Sequence, residues 1–305
     1  MKKPFYKKLW FWLVIILVIG AIGAAGTKKK KEDEEEIVTT SNVVDQSKES
    51  TTEKAVTKTT AEQKIIENGK YKISLESFSV EKDYEENDVL IIEYSWTNNS
   101  DEEESFMTAF RDKVYQNGIE CNSVSLTDSV DSTDQMKDIK PGATFNLKVG
   151  YVLWDKSKAT VEISSLFGDD YYLIETLDLG GGEGTYNPEK VGDVETSVKV
   201  IDIFLSKDYE DKDVLIVKYE FTNGSKKPIA FKTSFTDKVY QNGVELSSIV
   251  FCDEVDSWTT LLEIKPGVTY VAEEGYLLND MSDVEIEVKE LFGKKTYYSE
   301  KKSLQ

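Results

Sequence analysis

Asp112-Lys113-Val114-Tyr115-Gln116-Asn117-Gly118 returns 125 residues later as Asp237-Lys238-Val239-Tyr240-Gln241-Asn242-Gly243 without a change. Asn-Gly between a Val-Tyr-Gln run and renewed apolar/polar alternation is the chemistry of a two-residue type I′ turn, whose central residues both take positive φ. A turn of that kind joins antiparallel neighbours, so the stretch predicts a β-hairpin, twice. The same 125-residue shift extends outward in both directions. Lys82-Asp83-Tyr84-Glu85 meets Lys207-Asp208-Tyr209-Glu210, Ile139-Lys140-Pro141-Gly142 meets Ile264-Lys265-Pro266-Gly267, and Leu166-Phe167-Gly168 meets Leu291-Phe292-Gly293. From residue 81 onward, 42 of 88 columns are identical with no insertion. The period is too long for a solenoid unit, so each copy reads as a whole domain.

Within each copy the apolar period is two, the strand signal. Leu90, Ile92, Tyr94 and Trp96 form one face and Leu215, Val217, Tyr219 and Phe221 repeat it. Phe145, Leu147, Val149, Tyr151 and Leu153 form another alternating strand, and Phe106, Thr108 and Phe110 are expected to start a third. Pro141-Gly142 and Pro266-Gly267 suit the centre of type II turns, with Pro presetting φ and Gly supplying the positive one. No helical apolar stripe of ten or more residues interrupts the copies. About seven strands in ~110 residues predict an all-β fold of two tandem antiparallel β-sandwiches.

Leu9 to Gly26 is an uncharged apolar run flanked by lysines, with Tyr6, Trp10 and Trp12 at one end. As a helix it would be roughly 27 Å long, near the ~30 Å thickness of a bilayer core. The expectation is one N-terminal transmembrane helix acting as a signal-anchor; the alternative is a signal peptide cut near Ala21 to Gly26. The expected organisation is a cytoplasmic basic lead (1–8), the transmembrane anchor (9–26), a disordered stalk (27–64), domain 1 (65–178), a Gly-rich linker (179–193) that acts as a hinge, and domain 2 (194–305). The expected location is the cell membrane, crossed once, with the C-terminal domains outside.

The strand ending in Thr-Asn-x-Ser (Thr97 to Ser100, Thr222 to Ser225), then Val-Tyr-Gln-Asn-Gly, an acidic loop, Ile-Lys-Pro-Gly, and Gly-Tyr-x-Leu-x-Asp (Gly150 to Asp155, Gly275 to Asp280) resembles domain of unknown function 5067. The resemblance implies immunoglobulin-like sandwiches on Gram-positive surface proteins. It carries over no catalytic residue.

Composition narrows the function. The chain has 305 residues, 57 acidic against 37 basic side chains, a net charge of -20 and no histidine. Without histidine there is no Ser-His-Asp or Cys-His nucleophile and no His-ligated metal. Strong acidity opposes phosphate backbones, so nucleic acid is not an expected partner. No cofactor is expected. The acids Asp83, Glu85 and Asp88, with Asp208, Glu210 and Asp213, are weak calcium candidates, because they lack the regular ligand spacing of a calcium loop. Paired carboxylates would suffice for glycan hydrolysis, yet nothing in the sequence singles out a pair. Cys121 and Cys252 fall in different columns, one in each domain, so no disulfide can form within a domain. A bridge between domains would need Cα atoms within about 7 Å, and Cys121 reads as a small buried hydrophobe. Asn98-Asn99-Ser100 reads as a turn rather than a glycosylation site. Trp154 and Trp258, each replaced by a polar residue in the other copy, and the loop residues Tyr84 and Tyr209 are candidate partner contacts. The expected function is a non-catalytic binding protein, membrane-anchored and extracellular, for a protein or envelope ligand. A structural or sensory envelope component without a ligand is the alternative, and a carboxylate-based glycan hydrolase is the third.

Overall fold

The computed structural model describes residues 69–304 except Ser125, Asp169, Val250, Phe251 and Asp253. The first repeat runs through β1 (Tyr71–Lys82), β2 (Asp88–Asn98), a helical turn α1 (Phe106–Ala109), β3 (Phe110–Gln116), β4 (Ile119–Glu120), β5 (Ser123–Val124), β6 (Leu126–Thr127), β7 (Val130–Asp131), β8 (Thr144–Val152), β9 (Ala159–Ser165) and β10 (Tyr171–Leu177). The second runs through β11 (Ser197–Lys207), β12 (Asp213–Thr222), β13 (Ile229–Ala230), α2 (Phe231–Ser234), β14 (Phe235–Gln241), β15 (Val244–Glu245), β16 (Ser248–Ile249), β17 (Glu263–Ile264), β18 (Thr269–Leu277), β19 (Val284–Glu290) and β20 (Thr296–Lys302). The protein is all-β, with antiparallel sheets β1-β2-β8-β5 and β10-β9-β3-β4 in the first repeat and β11-β12-β18-β16 and β15-β14-β19-β20 in the second.

The alternating faces explain why the sheets stack. Leu90, Ile92, Tyr94 and Trp96 of β2 turn into one core with Leu147 and Val149 of β8 and with Val114, Val161 and Ile163 of the opposite sheet. Register places Tyr94 between Leu75 and Leu147 on its two neighbours. Trp96 sits edge-on to Phe110 at 5.6 Å, an arrangement favoured by the ring quadrupoles. The second core repeats the plan with Leu215, Val217, Tyr219 and Phe221. The opposite face of each central strand also starts apolar, and Val89 and Ile91 form a satellite cluster with Val130. Both predicted turns have the required backbone: φ is 52° and 77° at Asn117 and Gly118, and 78° at Gly142.

Two expectations are corrected. Phe106 and Thr108 are not part of the third strand, which begins only at Phe110. Residues 106–109 form one helical turn, held by Ser105 N–H on Thr108 Oγ1 (3.1 Å) and Ala109 N–H on the Ser105 carbonyl (3.0 Å). Residues four apart on a helical turn share a side, so Phe106 and Phe110 both reach the core. The anchor expected at 9–26, with the lead 1–8 and the stalk 27–64, lies outside the described residues. Among the described residues no helix is long and apolar enough to cross a membrane. The α-helical segments there are single turns of four residues, about 6 Å of rise against a ~30 Å hydrocarbon layer. A single-pass membrane location, and the membrane as a partner through an N-terminal helix, are therefore withdrawn.

The repeats are joined by a continuous sheet. Ile119 of β4 pairs with Ile264 of β17, extending the second sheet of repeat 1 to β10-β9-β3-β4-β17-β13. Lys265 N–H donates to the Gly118 carbonyl at 2.8 Å. The Lys265 ammonium is ion-paired with Glu162, both nearly withdrawn from solvent, and lies 4.4 Å from the centre of the Tyr115 ring. Tyr115 Oη donates to Glu263 Oε2 at 2.9 Å, Arg111 pairs with Glu263, and Trp154 meets Tyr270 edge-on at 6.2 Å. The expected hinge is pinned to this joint. Thr185 N–H donates to Asn117 Oδ1 at 2.7 Å and Lys158 N–H to the Gly182 carbonyl at 2.9 Å. A Cβ on Gly181 would lie 2.2 Å from the Lys156 carbonyl oxygen, so that glycine permits close docking rather than swivelling.

This joint predicts coupled unfolding. The wild-type protein should melt in one calorimetric transition. Lys265→Ala leaves Glu162 buried without its cation, a change that costs about 3–5 kcal/mol, and should split the melt into two transitions; a single unshifted transition would refute the coupling.

Candidate functional site

The acidic loops are occupied by their own turns. Asp83 Oδ1 accepts the N–H groups of Glu85 (2.8 Å) and Asn87 (2.9 Å), and Oδ2 accepts Asn87 Nδ2 (3.0 Å). Burial pushes this carboxyl up, but the hydrogen bonds outweigh it and hold the group below its ordinary value. Asp88 pairs with Lys82 at 2.8 Å, whose hydrogen bond lowers it. Glu85 is exposed. In the twin loop, Asp208 accepts from Glu210 and Lys212 N–H, Asp213 pairs with Lys207 at 2.5 Å, and Glu210 with Lys212 at 2.6 Å. Of the six candidate carboxylates, all but Glu85 already have a hydrogen-bond or ion-pair partner. Among the described residues no three Cys, Asp or Glu side chains converge as a ligand set.

The tryptophans differ in role. Trp154 is half-exposed but packs on Tyr270 of the second repeat and donates its Nε1 hydrogen to the Glu120 carbonyl at 3.1 Å. Its contact is within the chain. Trp258, equally exposed, sits on the short turn Ser257–Thr260. Tyr84 and Tyr209 are exposed at the β1–β2 and β11–β12 tips, with Tyr84 Oη donating to Asp128 Oδ1 at 2.6 Å.

Among the described residues the most exposed aromatics are two that the candidate contacts above did not include. Phe167 and Phe292, at the β9–β10 and β19–β20 tips, are 86% and 95% exposed. Neither tip is loose. Leu166 N–H donates to the Ala109 carbonyl (3.2 Å) and Leu291 N–H to the Ser234 carbonyl (3.0 Å), the same bond in both repeats. The repeated Leu-Phe-Gly triplet was the available signal; exposure was not readable from it.

Beneath the sheets lies a buried tyrosine–aspartate group, also in both copies. In repeat 1, Tyr94 Oη donates to Asp112 Oδ1 at 3.2 Å and Tyr151 lies against the same carboxyl. Burial pushes the Asp112 carboxyl up to about 7, partly opposed by the tyrosine hydroxyls. In repeat 2, Tyr276 Oη donates to Asp237 and shares a hydrogen bond with Tyr219 Oη at 3.0 Å. Two columns then change together: Met107 becomes Lys232 and Val149 becomes Glu274. Lys232 Nζ lies 3.0 Å from Asp237 and 3.2 Å from Glu274. Burial works against the Lys232 charge, but Asp237 and Glu274 prevail and raise it. Burial likewise pushes Glu274 up to about 7 against the pull of Lys232. An open cleft of about 460 Å³ reaches this cluster, lined by Lys232, Asp237, Lys238, Glu245, Ser247, Ser248 and Tyr276 among others.

The raised carboxyls set a pH dependence. Each buried acid favours its protonated form, so the stability it contributes is full below its ordinary value and is lost as pH rises through about 7. For Asp112 this is worth up to about 4 kcal/mol. Asp112→Asn should flatten the fall in stability between pH 5 and 8 and raise stability at pH 8 by about 1–3 kcal/mol; urea unfolding at both pH values reads it, and an unchanged slope would sink the assignment.

Comparison with known proteins adds a family and no activity. No curated protein matches the chain. Among solved structures, the chain is similar to "a putative lipoprotein from Staphylococcus aureus subsp. aureus NCTC 8325" at 18% identity and a TM-score of 0.29, over 35% of this chain and 82% of that one. It is also similar to the exo-chitosanase CsxA of Amycolatopsis orientalis at 10% identity and a TM-score of 0.23, over 74% of this chain and 26% of that one. The chain thus spans about a quarter of the length of the chitosanase. The family described as Domain of unknown function (DUF5067) matches residues 45–165 and 183–290, one match over each repeat. With most of its length covered by those two matches, the chain belongs to that family.

Proposed function

We propose that the protein is a non-catalytic interaction protein, built from two Ig-like β-sandwich modules that present rigid aromatic tips to a macromolecular partner. The observation that carries this reading is the pair Phe167 and Phe292. Leaving a phenylalanine in water forgoes about 1.5–3 kcal/mol of burial. About half the columns of the two repeats have diverged, yet both tips keep the aromatic and the backbone bond that anchors it. Rigid aromatics lose little entropy when they enter a pocket, which is why they dominate binding hot spots. Two tips on one coupled body suit avidity, because the second contact forms at high local concentration. The alternative of a structural component without a ligand leaves the exposed rings unexplained.

A second reading, hydrolysis by paired carboxylates, is favoured by one observation: Asp237 and Glu274 are buried around the same lysine beside a cleft. The ammonium of Lys232 already occupies the space between them, and both carboxyls are almost fully withdrawn from solvent. The cluster therefore suits a structural role better than a substrate site.

Immobilised full-length protein should retain a partner that Phe167→Ser or Phe292→Ser holds about 10–100-fold more weakly and the double variant not at all. Melting temperatures should stay within about 2 °C of the parent, since exposed substitutions shift stability by less than ~0.5 kcal/mol. Equal retention by the double variant would overturn the proposal.

A further inference from the structure

The surfaces that join the two repeats within the chain exist a second time, unused. On repeat 1 the donor is the β3–β4 hairpin, and on repeat 2 the acceptor is β17 with the turn that follows it. Repeat 2 carries the same hairpin as β14–β15. Its register is identical, Gln241 opposite Val244 where repeat 1 has Gln116 opposite Ile119, and its turn has φ of 50° and 78°. Repeat 1 carries the same acceptor at Ile139 to Gly142, closed by an Ala143 N–H to Lys140 carbonyl bond of 3.0 Å that matches Val268 to Lys265 at 3.1 Å.

The unused halves are open. Val244 is 62% exposed, whereas Ile119 is half-buried in the joint. The Lys140 side chain is 81% exposed, whereas its twin Lys265 is 13% exposed against Glu162. Ile264 pairs with a strand on each side, Ile229 and Ile119, but Ile139 has only the isolated bridge to Glu104. An exposed strand edge with free main-chain groups is a template for pairing with another chain.

We propose that β14–β15 of one copy docks on the Ile139–Gly142 edge of a second copy, repeating the internal joint between chains. The surface is separate from the aromatic tips and does not depend on their role. The residues needed are present: Val244 opposite Ile139, the Gly243 carbonyl facing Lys140 N–H, Glu287 in the place of Glu162 for the Lys140 ammonium, and Tyr240 facing Asp138 as Tyr115 faces Glu263. Arg111 and Trp154 are replaced by Thr236 and Asn279, so the joint between chains is weaker than the one within. Donor and acceptor are different surfaces, so the contact is head-to-tail and propagates into an open string or closes into a ring.

Sedimentation equilibrium of the full chain tests this. The average mass should rise with concentration in whole-chain steps. Lys140→Glu and Glu287→Lys should each raise the dissociation constant by about tenfold or more, because a pair of opposite charges becomes a repulsive one. An equimolar mixture of the two variants should recover association into strings in which the variants alternate, since the native pair of charges forms at one joint and the reversed pair at the next. A single-chain mass up to about 1 mM, the weak end of specific binding, would overturn the proposal. So would association that both variants leave unchanged, or a mixture that fails to recover.

Discussion

The turn at Asn117 and Gly118 performs two tasks that cannot be separated. Its positive φ values close β3 onto β4 with the twist a two-stranded hairpin needs. The same closure delivers Ile119 and the Gly118 carbonyl to β17, where the second repeat attaches. Gly118 is required for both. A Cβ there would lie 2.6 Å from Val268 and 2.9 Å from Tyr186. Its twin Gly243 has the same φ but open space around it, so there the glycine serves the turn alone.

Around that joint the repeats have kept some polar anchors and rebuilt others. Asn98 and Asn223 are fully buried, each donating Nδ2 hydrogens to two carbonyls, Glu102 and Ile139 in one repeat and Lys227 and Ile264 in the other. Gln116 and Gln241 bridge to the loops at Asp155 and Asp280 in the same way. These amides satisfy backbone groups that would otherwise be stranded, a cost of about 1–3 kcal/mol each. The buried acids were handled differently. In repeat 1 burial pushes the Asp112 carboxyl up and the tyrosine hydroxyls partly oppose it, whereas repeat 2 supplies Lys232 as a counter-charge and adds Glu274 beside it.

Much of the fold was legible, for local reasons. Alternation along Leu90–Trp96 named the core face of β2, and Asn-Gly and Pro-Gly named turns whose φ values followed. Phe106 to Phe110 was misread because residues two apart and residues four apart both fit Phe-x-x-x-Phe, and only the Ser105–Thr108 cap decides for a helical turn. The buried cluster of repeat 2 was missed although a signal existed. Glu274 interrupts the apolar phase of Tyr270, Ala272 and Tyr276, and its column changes together with that of Lys232 in opposite charge. The sequence alignment of the repeats shows both changes, but the 3.2 Å that unites them is not a local property.

The amino-acid sequence by itself determined the duplication, the period-two strands and the turn types, because each depends on neighbours a few residues apart. Tertiary structure alone decided that the linker is docked, that Trp154 faces its own chain, that Lys265 meets Glu162 and that the two phenylalanines stand in solvent. Those outcomes rest on which surfaces meet across more than a hundred residues of chain, and non-local packing leaves no periodic trace in the residues it joins.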